Sequence, residues 1–160
     1  MENVIITGAD GFVGSYTVNY FLEQGCRVLA LDMGEKPNRL GEHPRLTYAQ
    51  CDISDAAALE AAARSGNYDT FIHFAWAGSA GPARVDYNLQ MKNALTTVEC
   101  LKTAKKLGCK RFVCAGSIME KEVEAAVHDQ GSRPGMGYIY GMGKHIAHCL
   151  KWDILHISPV

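Results

Sequence analysis

The sequence predicts an α/β fold, a doubly wound parallel sheet with helices on both faces, and three observations carry that expectation. Short apolar runs alternate with longer helical patterns in regular order. The short runs lack strict apolar/polar alternation, as strands buried on both faces do. Glycines close the helical segments, where a left-handed residue ends a helix at least cost. With 160 residues, 48% of them apolar, the chain can bury a sizeable core and fits one domain spanning 1–160.

Five runs read as strands: "NVIIT" (3–7), "RVLALD" (27–32), "LTYAQC" (46–51), "TFIHFA" (70–75) and "RFVCA" (111–115). Each is short, rich in β-branched or aromatic residues, and bounded by Gly, Asp or Asn. Between them, "FVGSYTVNYFLEQG" has apolar residues at helical spacing and ends at Gly25. "SDAAALEAAARSG" opens with Ser54 as a plausible N-cap and closes at Gly66. "NLQMKNALTTVECLKTAKKLG" is the longest, with Leu89, Ala94, Val98, Leu101 and Ala104 forming an apolar stripe ahead of Gly108. A last helix is expected from about Gly137 to Trp152, after which "DILHISPV" is either a sixth strand or the abnormal end of a truncated product. "MEKEVEAAVHD" (119–129) reads as a solvated helix face, and the segments 33–45 and 76–84 as loops able to face a ligand. Strand, helix, strand in this order implies right-handed crossovers.

Sixteen basic and 17 acidic residues nearly cancel and form no basic run, which argues against a nucleic-acid partner. Six scattered cysteines without a CxxC pair read as reduced thiols of a cytosolic protein. No signal peptide or membrane-length apolar run is present, so a soluble, cytoplasmic protein is expected. His145, His148 and Cys149 cluster within about a turn but lack a fourth ligand, so no metal is expected, and His73 reads as a satisfied core histidine.

"VIITGADGFVGSY" places Gly8, Gly11 and Gly14 between the first strand and the first helix. Residues without side chains let the backbone bend sharply and approach a pyrophosphate, while the helix N-terminus offers free N–H groups and the positive end of its dipole. Asp32 ends the second strand 18 positions beyond Gly14. A carboxylate there can accept from both ribose hydroxyls of an adenosine and repel a 2′-phosphate, favouring NAD over NADP; a solvated strand-end aspartate is the plainer alternative. Arg39, in the loop that follows, would soften that preference. Asp52 and Ile53 end the third strand, next to where an adenine would lie. Turns are glycine-rich for other reasons too, but a turn that follows a strand and precedes a helix points, with Asp32, to a Rossmann-type dinucleotide-binding domain.

Tyr140 and Lys144 are four apart on the last predicted helix and share one face. An ammonium beside a phenol stabilises the phenolate and fits tyrosine for proton transfer near neutral pH, although an ordinary amphipathic pair has the same spacing.

"TGADGFVG", "CDIS", "HFAWAG", a helix carrying Asn93, "RFVCAGS" and "YGMGK" occur in the order and at roughly the intervals of the extended short-chain dehydrogenase/reductase family, and the chain resembles that family up to about Trp152. The resemblance implies an NAD-dependent oxidoreductase, epimerase or dehydratase acting on a nucleotide-sugar by hydride transfer. Gly8, Gly11 and Gly14, with the backbone of Phe12 and Val13, would cradle the pyrophosphate. Asp32 would hold the ribose, Asp52 and Ile53 would border the adenine, and Ala75, Trp76 and Ala77 would pass under the cofactor. Asn93 would stabilise the cofactor site. Ser117 would bond the reacting oxygen, Tyr140 would serve as acid/base, and Lys144 would bind the nicotinamide ribose and assist Tyr140. The resemblance also implies a homodimer, and a C-terminal substrate region largely absent from this chain. A non-catalytic NAD(P)-binding module is the alternative. Two departures stand out: Trp76 where the family usually has a small residue, and "AGSIMEKE" in place of a serine-rich stretch. Tyr138 is assigned to packing or the pocket rim.

Overall fold

The computed structural model describes residues 3–64, 66–128 and 137–157, with 127–128 and 152–157 described in backbone only. Strands β1 (Asn3–Thr7), β2 (Arg27–Asp32), β3 (Leu46–Gln50), β4 (Thr70–His73) and β5 (Arg111–Cys114) form one parallel sheet in the order β3-β2-β1-β4-β5. The runs of β1, β2 and β4 need no alternation because both their faces are covered, whereas β3 and β5, at the sheet edges, are only partly buried and leave Thr47 and Val113 exposed. Val4 and Ile6 join α1 (Phe12–Glu23) in a cluster that includes Val18, Leu22, Val28, Ala30 and Ile72. Ile5, on the opposite face, packs with Leu29, Leu31 and Phe71 against Leu59 and Ala63 of α2 (Ala56–Ala63) and Cys100 and Ala104 of α3 (Tyr87–Lys106). The period of two along β1 thus sorts its side chains onto a doubly wound architecture.

Two compact units are distinguished: Met1–Ala75 with Glu99–Ala115, and Trp76–Val98 with Gly116–Val160. The first holds the sheet, α1, α2 and the C-terminal end of α3. The second holds the N-terminal part of α3, a 3-10 turn over Gly81–Val85, α4 (Met119–His128) and α5 (Tyr138–Ile157). Within it the helices approach closely at glycines. A Cβ at Gly141 would lie 2.7 Å from the Met119 carbonyl oxygen, and one at Gly143 would lie 2.9 Å from the Gln90 carbonyl oxygen. Glycine inside a helix costs about 0.5–1 kcal/mol relative to alanine, and here the close helix contacts offset that cost.

Several boundaries differ from the sequence expectation. β3, β4 and β5 end at Gln50, His73 and Cys114; the Cys51, Phe74 and Ala115 amides still donate to the neighbouring strand, but the chain then turns out of the ladder. Asp55, not Ser54, caps α2: its carboxylate accepts from the Ala57 and Ala58 amides at 2.9 and 3.1 Å, while the Ser54 amide donates to Asp52 at 2.9 Å. A charged acceptor suits a helix N-terminus better than a hydroxyl. The 76–84 loop runs into the 3-10 turn, with Pro82 in its first positions. α5 continues through Ile157, so residues 153–157 are helical and form no sixth strand; 158–160 lie outside the described residues. The 119–129 segment is helical as far as His128 and buries Val123, and Asp129 lies outside the described residues. Among the described residues no helix is long and apolar enough to cross a membrane.

Candidate functional site

The first unit gathers Gly8, Asp32, Asp52 and Ala75 at or just beyond the carboxyl ends of four adjacent strands, β1, β2, β3 and β4. Strand order reverses at β1, which is where open α/β sheets leave a crevice. Gly8 has φ +67°, and a Cβ there would lie 2.6 Å from the Ala75 amide nitrogen. A Cβ at Gly14 would fall 2.0 Å from the Gly8 carbonyl oxygen. Gly11 closes the turn, its amide donating to that oxygen at 3.2 Å, and as N-cap of α1 it brings no side-chain acceptor. Phe12 and Val13 are exposed in the first turn. The result is a bare helix N-terminus at a turn too tight for side chains, the form of an anion cradle.

Asp32 is held by two amides, Asp10 N–H to Oδ2 at 2.8 Å and Met33 N–H to Oδ1 at 2.7 Å. Each oxygen keeps a lone pair for a further donor. Asp10 in turn accepts from the Asn38 amide (2.8 Å), the Asn38 side chain (3.1 Å) and the Arg39 amide (2.7 Å). Burial pushes the Asp10 carboxyl up, but these donors and the Arg39 charge outweigh it and hold the group below the usual carboxylate range. The glycine turn, Asp32 and the loop after β2 are therefore one hydrogen-bonded assembly. Asp52 is exposed and Ile53 half-buried.

The second unit brings Trp76, Tyr140 and Lys144 together. Lys144 is only 7% exposed, with Nζ 3.7 Å from the centre of the Trp76 ring and 6.0 Å from that of Tyr140. The Trp76 and Tyr140 rings meet edge to face, centroids 6.0 Å apart at 83°. Trp76 Nε1 donates to Gln90 Oε1 at 2.7 Å, and Gln90 Nε2 donates to the Gly78 and Ala83 carbonyls at 3.0 and 2.9 Å. Asn93 makes a two-way bond with the Ala77 backbone: the Ala77 amide donates to Oδ1 at 3.1 Å, and Nδ2 donates to the Ala77 carbonyl at 2.8 Å. Arg84 lays its guanidinium over the Tyr140 ring, Cζ 4.7 Å from the centroid. Tyr138, the first residue of α5, is half-buried.

Ser117 is engaged at the start of α4. Its amide donates to Glu120 Oε1 at 2.7 Å and its Oγ accepts from the Met119 amide at 3.2 Å, which leaves the hydroxyl proton available as a donor. Glu120 Oε2 also lies 3.3 Å from His148 Nδ1, and His145 Nδ1 lies 3.7 Å from Glu124. Among the described residues no group of three or more His, Cys, Asp or Glu could hold a metal ion. His73 is buried and shares a 2.8 Å hydrogen bond with the Thr7 hydroxyl.

Sequence reasoning missed Asp10, Arg84 and Gln90. Gln90 left a signal: it sits four residues before Ala94, on the apolar stripe of α3, and is completely buried. A polar residue there must find partners inside.

Residues 4–151 match the NAD dependent epimerase/dehydratase family. Relatives include the dTDP-6-deoxy-L-talose 4-dehydrogenase (NAD(+)) of Aggregatibacter actinomycetemcomitans, 27% identical over 98% of this chain and 57% of the relative. UDP-glucose 4-epimerase 2 of Arabidopsis thaliana is 30% identical over 72% of this chain and 36% of its own length. Among solved structures, the Bordetella bronchiseptica enzyme WbmG in complex with NAD superposes with TM-score 0.76 at 25% identity, over 99% of this chain and 50% of that one. The chain thus spans roughly half the length of such proteins, between 36% and 57% in these three. With the parallel sheet, the glycine turn and the tyrosine–lysine helix in place, the chain belongs to the NAD dependent epimerase/dehydratase family.

Proposed function

We infer that the chain is a dinucleotide-binding domain that binds NAD and carries the acid/base machinery of a nucleotide-sugar epimerase, dehydratase or reductase. The observation that carries this reading is Lys144, a lysine 7% exposed one helical turn from Tyr140. A buried ammonium is costly and is kept where it serves a partner or a reaction.

In this reading the amides at Phe12, Val13 and Gly14 receive the cofactor diphosphate, and Gly8 and Gly11 let the chain turn and pass close by. Asp32 accepts from the adenosine ribose with its remaining lone pairs; Asp52 and Ile53 border the adenine, and Ala75, Trp76 and Ala77 line the path below, steadied by Asn93. Bound NAD supplies the hydride acceptor and donor. Tyr140 takes the proton from the sugar hydroxyl as the carbon–hydrogen bond is oxidised and returns it on reduction. Lys144 offers the charge a developing phenolate needs and a donor to the nicotinamide ribose. Ser117, with its free hydroxyl proton, holds the reacting oxygen. The protein is taken to be cytosolic and homodimeric, which sedimentation checks for the dimer.

Calorimetric titration with NAD and NADP, followed by an assay of UDP-, GDP-, CDP- and dTDP-sugars at the nicotinamide absorbance band, tests the reading. NAD should bind more tightly than NADP, one sugar class should turn over, and Tyr140→Phe should abolish turnover while keeping NAD affinity. Binding without turnover would make the chain a non-catalytic NAD-binding module; failure to bind either dinucleotide would overturn both.

A further inference from the structure

Arg84 stands outside the machinery just described, yet it covers the face of Tyr140 at 4.7 Å. Its Nε is buried with no hydrogen-bond partner. Among the described residues no ion pair to Arg84 is formed, and three acids of the same unit face other groups: Asp86 accepts from the Leu89 amide at the start of α3, Glu120 meets Ser117 and His148, and Glu124 lies near His145. Gly137 lets Arg84 and Met119 pack close: a Cβ there would lie 3.1 Å from Arg84 Nη2 and 2.4 Å from Met119 Cε.

A buried guanidinium N–H without an acceptor forfeits a hydrogen bond that water would have supplied. The planar fork is matched best by a two-oxygen anion, a carboxylate or a phosphate. The Tyr140 ring holds the guanidinium on its face, beside the phenol that a substrate would approach.

We propose that Arg84 is an anion-recognition residue of the tyrosine site, so that the substrate presents a carboxylate or phosphate beside the hydroxyl that Tyr140 serves. The inference rests on the nucleotide-sugar reading above and narrows it to substrates with an anion within reach of the reacting carbon. Two sources share that chemistry: a carboxylate on the sugar ring, as in a hexuronate, and the diphosphate that links sugar to nucleoside.

The test titrates four probes, glucose, glucuronate, UDP-glucose and UDP-glucuronate, into the NAD-saturated protein and into Arg84→Met and Arg84→Lys, with NAD affinity and thermal melting measured in parallel. Loss of a charge-assisted bidentate contact should weaken the recognised anion about 10- to 100-fold in Arg84→Met, with Arg84→Lys in between. A ring carboxylate shows as a loss confined to glucuronate and UDP-glucuronate. The diphosphate shows as an equal loss for both UDP-sugars and none for glucuronate. Equal affinities in wild type and Arg84→Met for every probe, or no binding of any probe by the wild type, overturns the inference. NAD affinity separates the two levels: if the wild type fails to bind NAD, the proposed function falls, whereas intact NAD binding with probes indifferent to Arg84 removes only this step. A purely structural Arg84 would lower the melting temperature of both variants without discriminating among the probes.

Discussion

Replacing Gly14 by alanine puts a methyl carbon 2.0 Å from the Gly8 carbonyl oxygen and 2.9 Å from the Ala9 Cα. All of these are backbone atoms, so no side chain can swing aside to relieve the contact. Gly14 is the third residue of α1, where alanine would ordinarily be favoured by about 0.5–1 kcal/mol. Against that gain stands an overpacking cost of about 1–3 kcal/mol or more, because the turn must open by more than an ångström to restore a normal contact. Opening it displaces the oxygen that accepts the Gly11 amide, a further loss of about 1 kcal/mol. The net expectation is destabilisation by about 2 kcal/mol. With a urea slope of about 2 kcal/mol per molar, the midpoint should fall by about 1 M. NAD affinity should fall with it, since the amides that receive the diphosphate move. Gly41→Ala is the control: a Cβ there meets nothing within 4 Å, so that variant should be neutral or gain about 0.4–1 kcal/mol. A Gly14→Ala protein with a midpoint at or above wild type would refute the steric reasoning, whatever happened to binding.

Asp32→Asn keeps an acceptor for one of the two amides but removes the charge, so NAD affinity should drop about 10-fold or more and the margin over NADP should narrow; calorimetry reads both, and an unchanged margin would exclude Asp32 from ribose selection. Burial, with smaller contributions from the neighbouring thiols and Glu99, pushes the Cys100 thiol from 9.0 up to about 12. Because the folded value is the higher one, the protection is complete below pH 9 and is lost as pH rises toward 12. The Cys100 contribution to stability should therefore decline across that window, read as the part of the fall in urea-unfolding stability that Cys100→Ala removes. Trp76→Phe preserves an aromatic face for Lys144 but leaves the fully buried Gln90 Oε1 with only the Asn93 side chain at 3.5 Å, so it should cost about 1–3 kcal/mol in the same assay. Wild-type stability in that variant would show that the indole N–H bond contributes nothing.

The strands were legible because a run such as "NVIIT" records burial on two faces directly in its composition, and the glycine turn because its spacing is a local backbone requirement. The place of Asp32 in the fold was legible too, at the end of β2. Asp10 was not: its partners, Asn38 and Arg39, lie 28 and 29 residues away, and nothing around "GADG" announces them. The glycines of "YGMGK" were visible as residues but not as contacts. Gly141 is small because Met119 lies against it, and Gly143 because Gln90 does, which are facts of tertiary packing. Strand ends were overestimated by one or two residues since apolar character continues past the last ladder pair, as in Phe74 and Ala75 after His73.

Trp76, the departure from the family pattern, has its explanation in Gln90. A large indole at this position must be fixed in orientation, or it would compete with Tyr140 for the space beside Lys144. Gln90 fixes it with one oxygen and uses its amide nitrogen to tie down the Gly78 and Ala83 carbonyls, so the loop that begins with Trp76 is closed by the same side chain. Ala83 immediately precedes Arg84. The residue that sets the indole under the Lys144 ammonium therefore also sets the approach of the guanidinium to the Tyr140 ring. Lysine placement and anion recognition then share one physical origin, a buried amide on α3. A small residue at position 76 would remove the indole that Gln90 orients, and the proposed anion preference belongs with this tryptophan loop rather than with the dinucleotide fold as a whole.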